Sequence, residues 1–169
     1  MYDIFISYAS ENVDFTKELA EDLENEGFSV WWDNFIPTGR NFDRVIEEAL
    51  KNSKSVVVLW STHSVESDWV RLEAGEGQAK KKLVPVFIEE VEIPFAFKLV
   101  QTANLIHWNR DHNHPDFRQL VNDIKSILEL EPELPDPPVS ETINIKRYLL
   151  PAIIVITLVL AGIFYLKNL

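Results

Sequence analysis

Val56-Val57-Val58-Leu59-Trp60 is an unbroken apolar run in which four of five residues are β-branched or aromatic. Successive side chains of a strand point to opposite faces, so a run without polar alternation belongs in a sheet covered on both sides. Leu83-Val84-Pro85-Val86-Phe87-Ile88 has the same character. Its proline lacks a ladder donor, which places that strand near a sheet edge or makes its start irregular. Three further β-branched and aromatic runs lie at residues 2–8, 28–32 and 104–108. Helical patterns separate them at 12–26, 41–52, 66–81 and 95–102, with a last one at 115–129. This alternation predicts an α/β sandwich with five parallel strands. Trp31 and Trp32 are read as strand residues packing on the two faces of that sheet.

Charge narrows the function classes. The 169-residue chain suits one domain plus an appendage. Lys146, Arg147 and Lys167 are the only charged residues after Glu141, which leaves 13 cations against 27 acids and a net charge of −14 over residues 1–145. No basic stripe is present to neutralise phosphates, so nucleic acid is not an expected partner. The absence of cysteine excludes disulfides, thiolate zinc sites and thiol catalysis. His107, His112 and His114 with Asp111 and Asp116 lack helical ligand spacing and are read as solvated loop residues, so no metal is expected.

The start, Met1-Tyr2-Asp3-Ile4-Phe5-Ile6-Ser7, has no basic region followed by an apolar stretch, and no secretory leader is expected. Residues 149–166 (LLPAIIVITLVLAGIFYL) are 18 uncharged, mostly apolar positions. As a helix they would extend about 27 Å, close to the thickness of a hydrocarbon core. The expected organisation is a domain over 1–130, an acidic proline-rich linker over 131–146 and a transmembrane helix over 147–167. The linker stretch from Glu131 to Ile143 holds four prolines and four acids, a composition suited to an extended tether. Lys146 and Arg147 before the apolar stretch favour a single-pass membrane protein with its domain on the cytoplasmic side.

In open parallel sheets, ligands bind beyond the carboxyl ends of the strands where strand order reverses. The candidate segments are therefore Tyr8 to Asn12, Asp33 to Arg40, and Ser61 to Ser64. A phosphoacceptor receiver is excluded, because the third run ends in Trp60-Ser61 instead of aspartate and the fifth in His107-Trp108-Asn109 instead of lysine. Neither a glycine-rich phosphate loop nor a GxSxG elbow occurs. In Ser67-Asp68-Trp69-Val70-Arg71-Leu72-Glu73, Trp69 and Glu73 lie four apart on a predicted helix, so indole and carboxylate share one face. The alternative is an exposed glutamate paired with Arg71 or Lys80.

Phe5-Ile6-Ser7-Tyr8-Ala9-Ser10 after Asp3, Gly27-Phe28-Ser29-Val30-Trp31-Trp32-Asp33 leading to Pro37-Thr38-Gly39, and the Ser67–Glu73 stretch resemble the successive boxes of the TIR (Toll/interleukin-1 receptor) domain. The resemblance covers residues 1 to about 130 and implies a flavodoxin-like sheet. It also implies NAD hydrolysis, with release of nicotinamide and either ADP-ribose or a cyclised product, and with Glu73 as the indispensable catalytic glutamate. Ala9, Ser10 and Pro37 would contact the dinucleotide. They stand where charged side chains occur in other enzymatic members, so contacts here would run through backbone or hydroxyl. Tyr8, Asp33, Gly39, Arg40, Phe42 and Trp69 are further pocket candidates, although Gly39 alternatively serves a turn and Phe42 a helix core. NAD is a substrate in this reading, and no cofactor is required.

Chemistry fits one carboxylate. Nicotinamide leaves a pyridinium as a neutral base, so no general acid is needed, unlike the paired carboxyls of ordinary glycosidases. The apolar Phe35-Ile36-Pro37 tip suggests a contact surface. By resemblance, the 33–42 loop would join TIR domains head to tail and complete the site, and a membrane tether would favour such clustering. A defence or cell-suicide role triggered by a separate sensor protein or by the membrane is the resulting expectation. The competing expectation is a non-enzymatic adaptor that recruits other TIR domains through the same loop. A third reading is action on other N-glycosidic substrates, such as nucleosides or NADP.

Overall fold

The computed structural model describes residues 1–33 and 42–130, apart from the side chains at 42, 43 and 130. In chain order the elements are β1 (Tyr2–Ser7), α1 (Val13–Asn25), β2 (Val30–Trp31), α2 (Phe42–Asn52), β3 (Ser53–Trp60), α3 (Asp68–Ala79), β4 (Leu83–Phe87), β5 (Ala103–Asn104) and α4 (Pro115–Leu130). Short 3-10 turns occupy Ser10–Asn12 and Phe95–Phe97. The five strands are parallel and ordered β2-β1-β3-β4-β5. Strand order reverses between β1 and β3, and that reversal opens a crevice above their carboxyl ends.

The two-faced reading of the apolar runs holds residue by residue. Ile4, Ile6, Val57 and Leu59 face the layer of α1 and α4, packing with Leu19, Leu23, Phe117, Leu120 and Ile124. Phe5, Val56, Val58 and Trp60 face α2 and α3, packing with Ile46, Leu50, Val70 and Ala74. Trp31 stacks on Phe5 at 4.8 Å between ring centroids, while Trp32 meets the edge of Tyr8 on the opposite face at 6.1 Å. Pro85 pairs with Val58, one residue before β4 begins to pair with β5 at Val86. The missing donor therefore falls just before the β4–β5 ladder, in a strand next to the sheet edge.

Three expected elements are shorter than their patterns. The 95–102 helix is only the Phe95–Phe97 turn. There, buried Phe97 lodges against Trp60 at 5.4 Å, and the chain bends back through Val100 N–H to Phe97 O. The 104–108 strand is reduced to Ala103–Asn104, because Asn104 Oδ1 accepts from Ile106 N–H at 3.0 Å and turns the backbone away from the sheet. The 28–32 strand is Val30–Trp31, its entry fixed by Asp3, which accepts from both the N–H and the hydroxyl of Ser29. The 131–146 linker and the 147–167 helix lie outside the described residues. Among the described residues, no helix is long and apolar enough to cross a membrane.

Helix α3 seats tightly on the sheet at Gly77. A Cβ there would lie 3.1 Å from Val56 Cβ and 3.3 Å from its Cγ1. Gly77→Ala should lower stability by about 1 kcal/mol, since overpacking of about 1–3 kcal/mol outweighs alanine's helix preference of about 1 kcal/mol. A urea midpoint at or above that of the wild type would contradict this close seating.

Candidate active site

The crevice above β1 and β3 holds a cavity of about 530 Å³, within the range of small-ligand sites. The end of β1 contributes Ser7, Tyr8, Ala9 and Ser10, and the end of β2 contributes Trp31 and Asp33. From α3 come Trp69 and Glu73. Helix α3 is started by Ser67, which has an extended backbone and whose side-chain oxygen accepts the Val70 N–H at 3.3 Å. The first turn of α3 therefore stands at the cavity mouth, and the next turn carries Glu73 inward.

Glu73 is only 4% exposed, whereas Trp69 is 41% exposed. Neither candidate cation reaches the carboxylate. Arg71 bonds Asp68 and the Val65 carbonyl, and Lys80 pairs with Glu76. Burial pushes the Glu73 carboxyl up to about 7, against smaller opposing effects of the Ser7 and Trp69 side chains, and Asp33 raises it slightly further. Burial likewise raises Asp33. Tyr8 donates its hydroxyl to the Asp33 carbonyl at 3.0 Å, and burial followed by the charges of Asp33 and Glu73 lifts its phenol to about 12. The pocket thus collects groups that favour a cation and disfavour a second anion. A developing positive charge is the species such a lining stabilises.

Of the residues expected at the site, Tyr8, Ala9, Ser10, Asp33, Trp69 and Glu73 line this one cavity. Pro37, Gly39 and Arg40, with the rest of the loop tip, lie outside the described residues. Phe42 opens α2, and its side chain is likewise outside them. The cavity also takes in Glu11 and His63 from the candidate segments, and Ser7 and Glu66, which lie outside those segments. Among the described lining residues there is no lysine or arginine. A second cavity of about 410 Å³ lies between α2 and α3 and shares Trp69 and Glu73 with the first. Among the described residues, no group of acids and histidines is arranged to hold a metal ion. His112 is not the solvated loop residue expected. Its two ring nitrogens lie 3.1 Å from Asp22 on α1 and 3.3 Å from Glu26, which caps the end of that helix.

Comparison with known proteins agrees with this architecture. Residues 4–121 match the family model described as TIR domain. The chain is 38% identical over 93 residues to the 2' cyclic ADP-D-ribose synthase AbTIR of Acinetobacter baumannii, covering 51% of this chain and 35% of that protein. It is 38% identical over 93 residues to the NAD(+) hydrolase TcpA of a Theionarchaea archaeon, covering 51% and 28%. Identity to the NAD(+) hydrolase PdTIR of Paracoccus denitrificans is 32% over 134 residues, covering 75% and 44%. The chain therefore spans less than half the length of these curated relatives. The fold superposes on the TIR domain of the Toll-related receptor TRR-2 from Hydra magnipapillata with a TM-score of 0.65 and 21% identity, covering 74% of this chain and 99% of that one. With the family model matching most of the chain, and with five parallel strands in the order seen here, the protein belongs to the TIR domain family.

Proposed function

We propose that this TIR domain is an NAD+ nucleosidase with Glu73 as its catalytic residue. The observation that carries the reading is a buried carboxylate without a cationic partner among the described residues, one turn beyond a half-exposed tryptophan, in the crevice at the reversal of strand order. The names of the bacterial and archaeal relatives support it. The Trp69 indole offers a flat apolar wall for the nicotinamide ring, and the acidic lining attracts the positive pyridinium. As the glycosidic bond breaks, nicotinamide departs neutral and the ribose takes up positive charge, which the Glu73 carboxylate stabilises. Water, or a second group of the substrate, then captures the ribose to give ADP-ribose or a cyclic product. Tyr8, Ala9, Ser10 and Asp33 line the substrate pocket in this reading, and Pro37, Gly39, Arg40 and Phe42 are proposed as further substrate contacts.

The apolar 149–166 stretch is proposed to tether the domain to a membrane and to concentrate it for assembly through the 33–42 loop. The full chain reconstituted densely in liposomes should release nicotinamide at least about tenfold faster per molecule than the same chain diluted in detergent. No nicotinamide at any surface density would reject the enzymatic reading.

One observation favours a second reading. Ala9 and Ser10 offer no charge to a diphosphate, and the described lining lacks lysine and arginine. In that reading the domain is an adaptor that recruits other TIR domains. Dense liposomes that capture a second TIR domain while leaving NAD intact would support it.

A further inference from the structure

Ser7 closes β1 with its side chain on the Phe5 side of the sheet, the side covered by α3. The residue is 1% exposed, and among the described residues its Oγ makes no hydrogen bond of ordinary geometry. Among the described residues, the Trp60 indole N–H is the other buried side-chain group in that state. The other buried serines all spend their hydroxyls on the fold. Ser53 donates to Leu50 O at 2.9 Å, Ser55 to Asp3 O at 2.8 Å, Ser61 to Asn12 Oδ1 at 2.6 Å and Ser64 to Ser61 O at 3.2 Å. Native proteins rarely strand a buried hydroxyl, because it gives up water with no replacement, so such a group calls for a role outside the fold.

The acceptor within its reach is the Glu73 carboxylate. Both residues line the same cavity, and the Ser7 side chain acts on the carboxylate in the sense of a donor. Other charged and titratable groups around Glu73 are Tyr8 from β1 and Asp33 after β2, with Glu11, His63 and Glu66 at the cavity mouth. From the α2–α3 side come Glu47, Lys51 and Glu76. Lys51 is already engaged by Glu47 at 2.6 Å. Among these groups, Ser7 is the fully buried neutral donor left without a partner. Hydroxyl protons rotate freely to suit their acceptor, so a small side-chain turn completes the bond.

We propose that Ser7 is a positioning residue for Glu73, its hydroxyl donating to the carboxylate and holding it aimed into the pocket while substrate is bound. The inference rests on the nucleosidase reading of the same site. It differs from a structural role in a testable way. A serine that served only packing would affect melting and leave the behaviour of Glu73 unchanged.

The test is a side-chain ¹³C titration of the full chain in detergent, with the Glu73 signal assigned by its loss in Glu73→Gln. In Ser7→Ala the midpoint of Glu73 should rise by about one pH unit, because a donor to the charged form has been removed. The melting temperature should stay level or rise, and the acid limb of nicotinamide release should move with the midpoint. Ser7→Thr, which keeps the hydroxyl, should titrate as the wild type. An unmoved midpoint in Ser7→Ala overturns the inference, with or without a fall in melting temperature. Because the titration needs no turnover, a wild type that leaves NAD intact at every liposome surface density would instead overturn the nucleosidase reading, and the positioning role with it.

Discussion

Glu73→Gln should reduce nicotinamide release by about a thousandfold, the scale set by removing one preorganised electrostatic group from a water-poor site. Glutamine keeps the size of the side chain and its reach, so the loss isolates charge from shape. Wild-type activity should climb as pH rises through about 7, where the buried carboxyl ionises. Residual activity of the variant should be flat across the same range. Stability should move the other way. The Glu73 carboxyl ionises near 4.5 in the unfolded chain and near 7 when folded, so between those values the folded state holds a proton that the unfolded state has released. Folding therefore weakens as pH rises through that window, by about 3 kcal/mol once both states are ionised. Glu73→Gln should remove this slope and unfold at higher urea than the wild type above neutral pH. Equal turnover in both proteins would end the catalytic assignment.

Arg110→Met should lower the urea midpoint, because it removes the principal cationic partner of a buried acid and leaves only His112 beside it. Asp22 is 2% exposed on α1, and Arg110 grips both its oxygens, Nε to Oδ2 and Nη2 to Oδ1, each at 2.9 Å. The guanidinium, aided by His112, holds the Asp22 carboxyl below its ordinary value of 3.8. A carboxyl lowered by folding contributes stability above its unfolded value, and that contribution fades as pH falls through the folded one. The gap between wild type and Arg110→Met should therefore be full near neutrality and narrow as pH falls below 3.8. Urea unfolding across that range reads it directly. A gap independent of pH would mean that Arg110 contributes packing and not charge. Arg110 also adopts φ +67°, a left-handed conformation that the paired carboxylate helps to hold.

How much of this was legible in the sequence depends on the distance over which each feature is encoded. The apolar runs around Val58 and Val86 specify buried strands by themselves, because side-chain parity is local. The Trp69–Glu73 spacing likewise places indole and carboxylate together through the geometry of one helix. Ser7 could not be singled out in this way. Its importance depends on β1 lying beside β3 and on α3 crossing the same face, facts of topology and not of spacing. The signal was present only as parity with Phe5. His112 was misread for a similar reason: its partner Asp22 lies 90 residues earlier, and a loop histidine carries no local mark of such a contact. The shortness of β5 hinges on the Asn104 side chain capturing a backbone N–H, a competition that β-rich composition does not reveal.

Gly77 stands four residues beyond Glu73 and rests against Val56. It makes α3 a depth gauge whose zero is set inside the sheet. Shaving Val56 to alanine would let the helix settle inward, and enlarging it to isoleucine would lift it. The tip of the gauge is the carboxylate, so the reach of the reacting group is calibrated by a core side chain that no nucleotide meets.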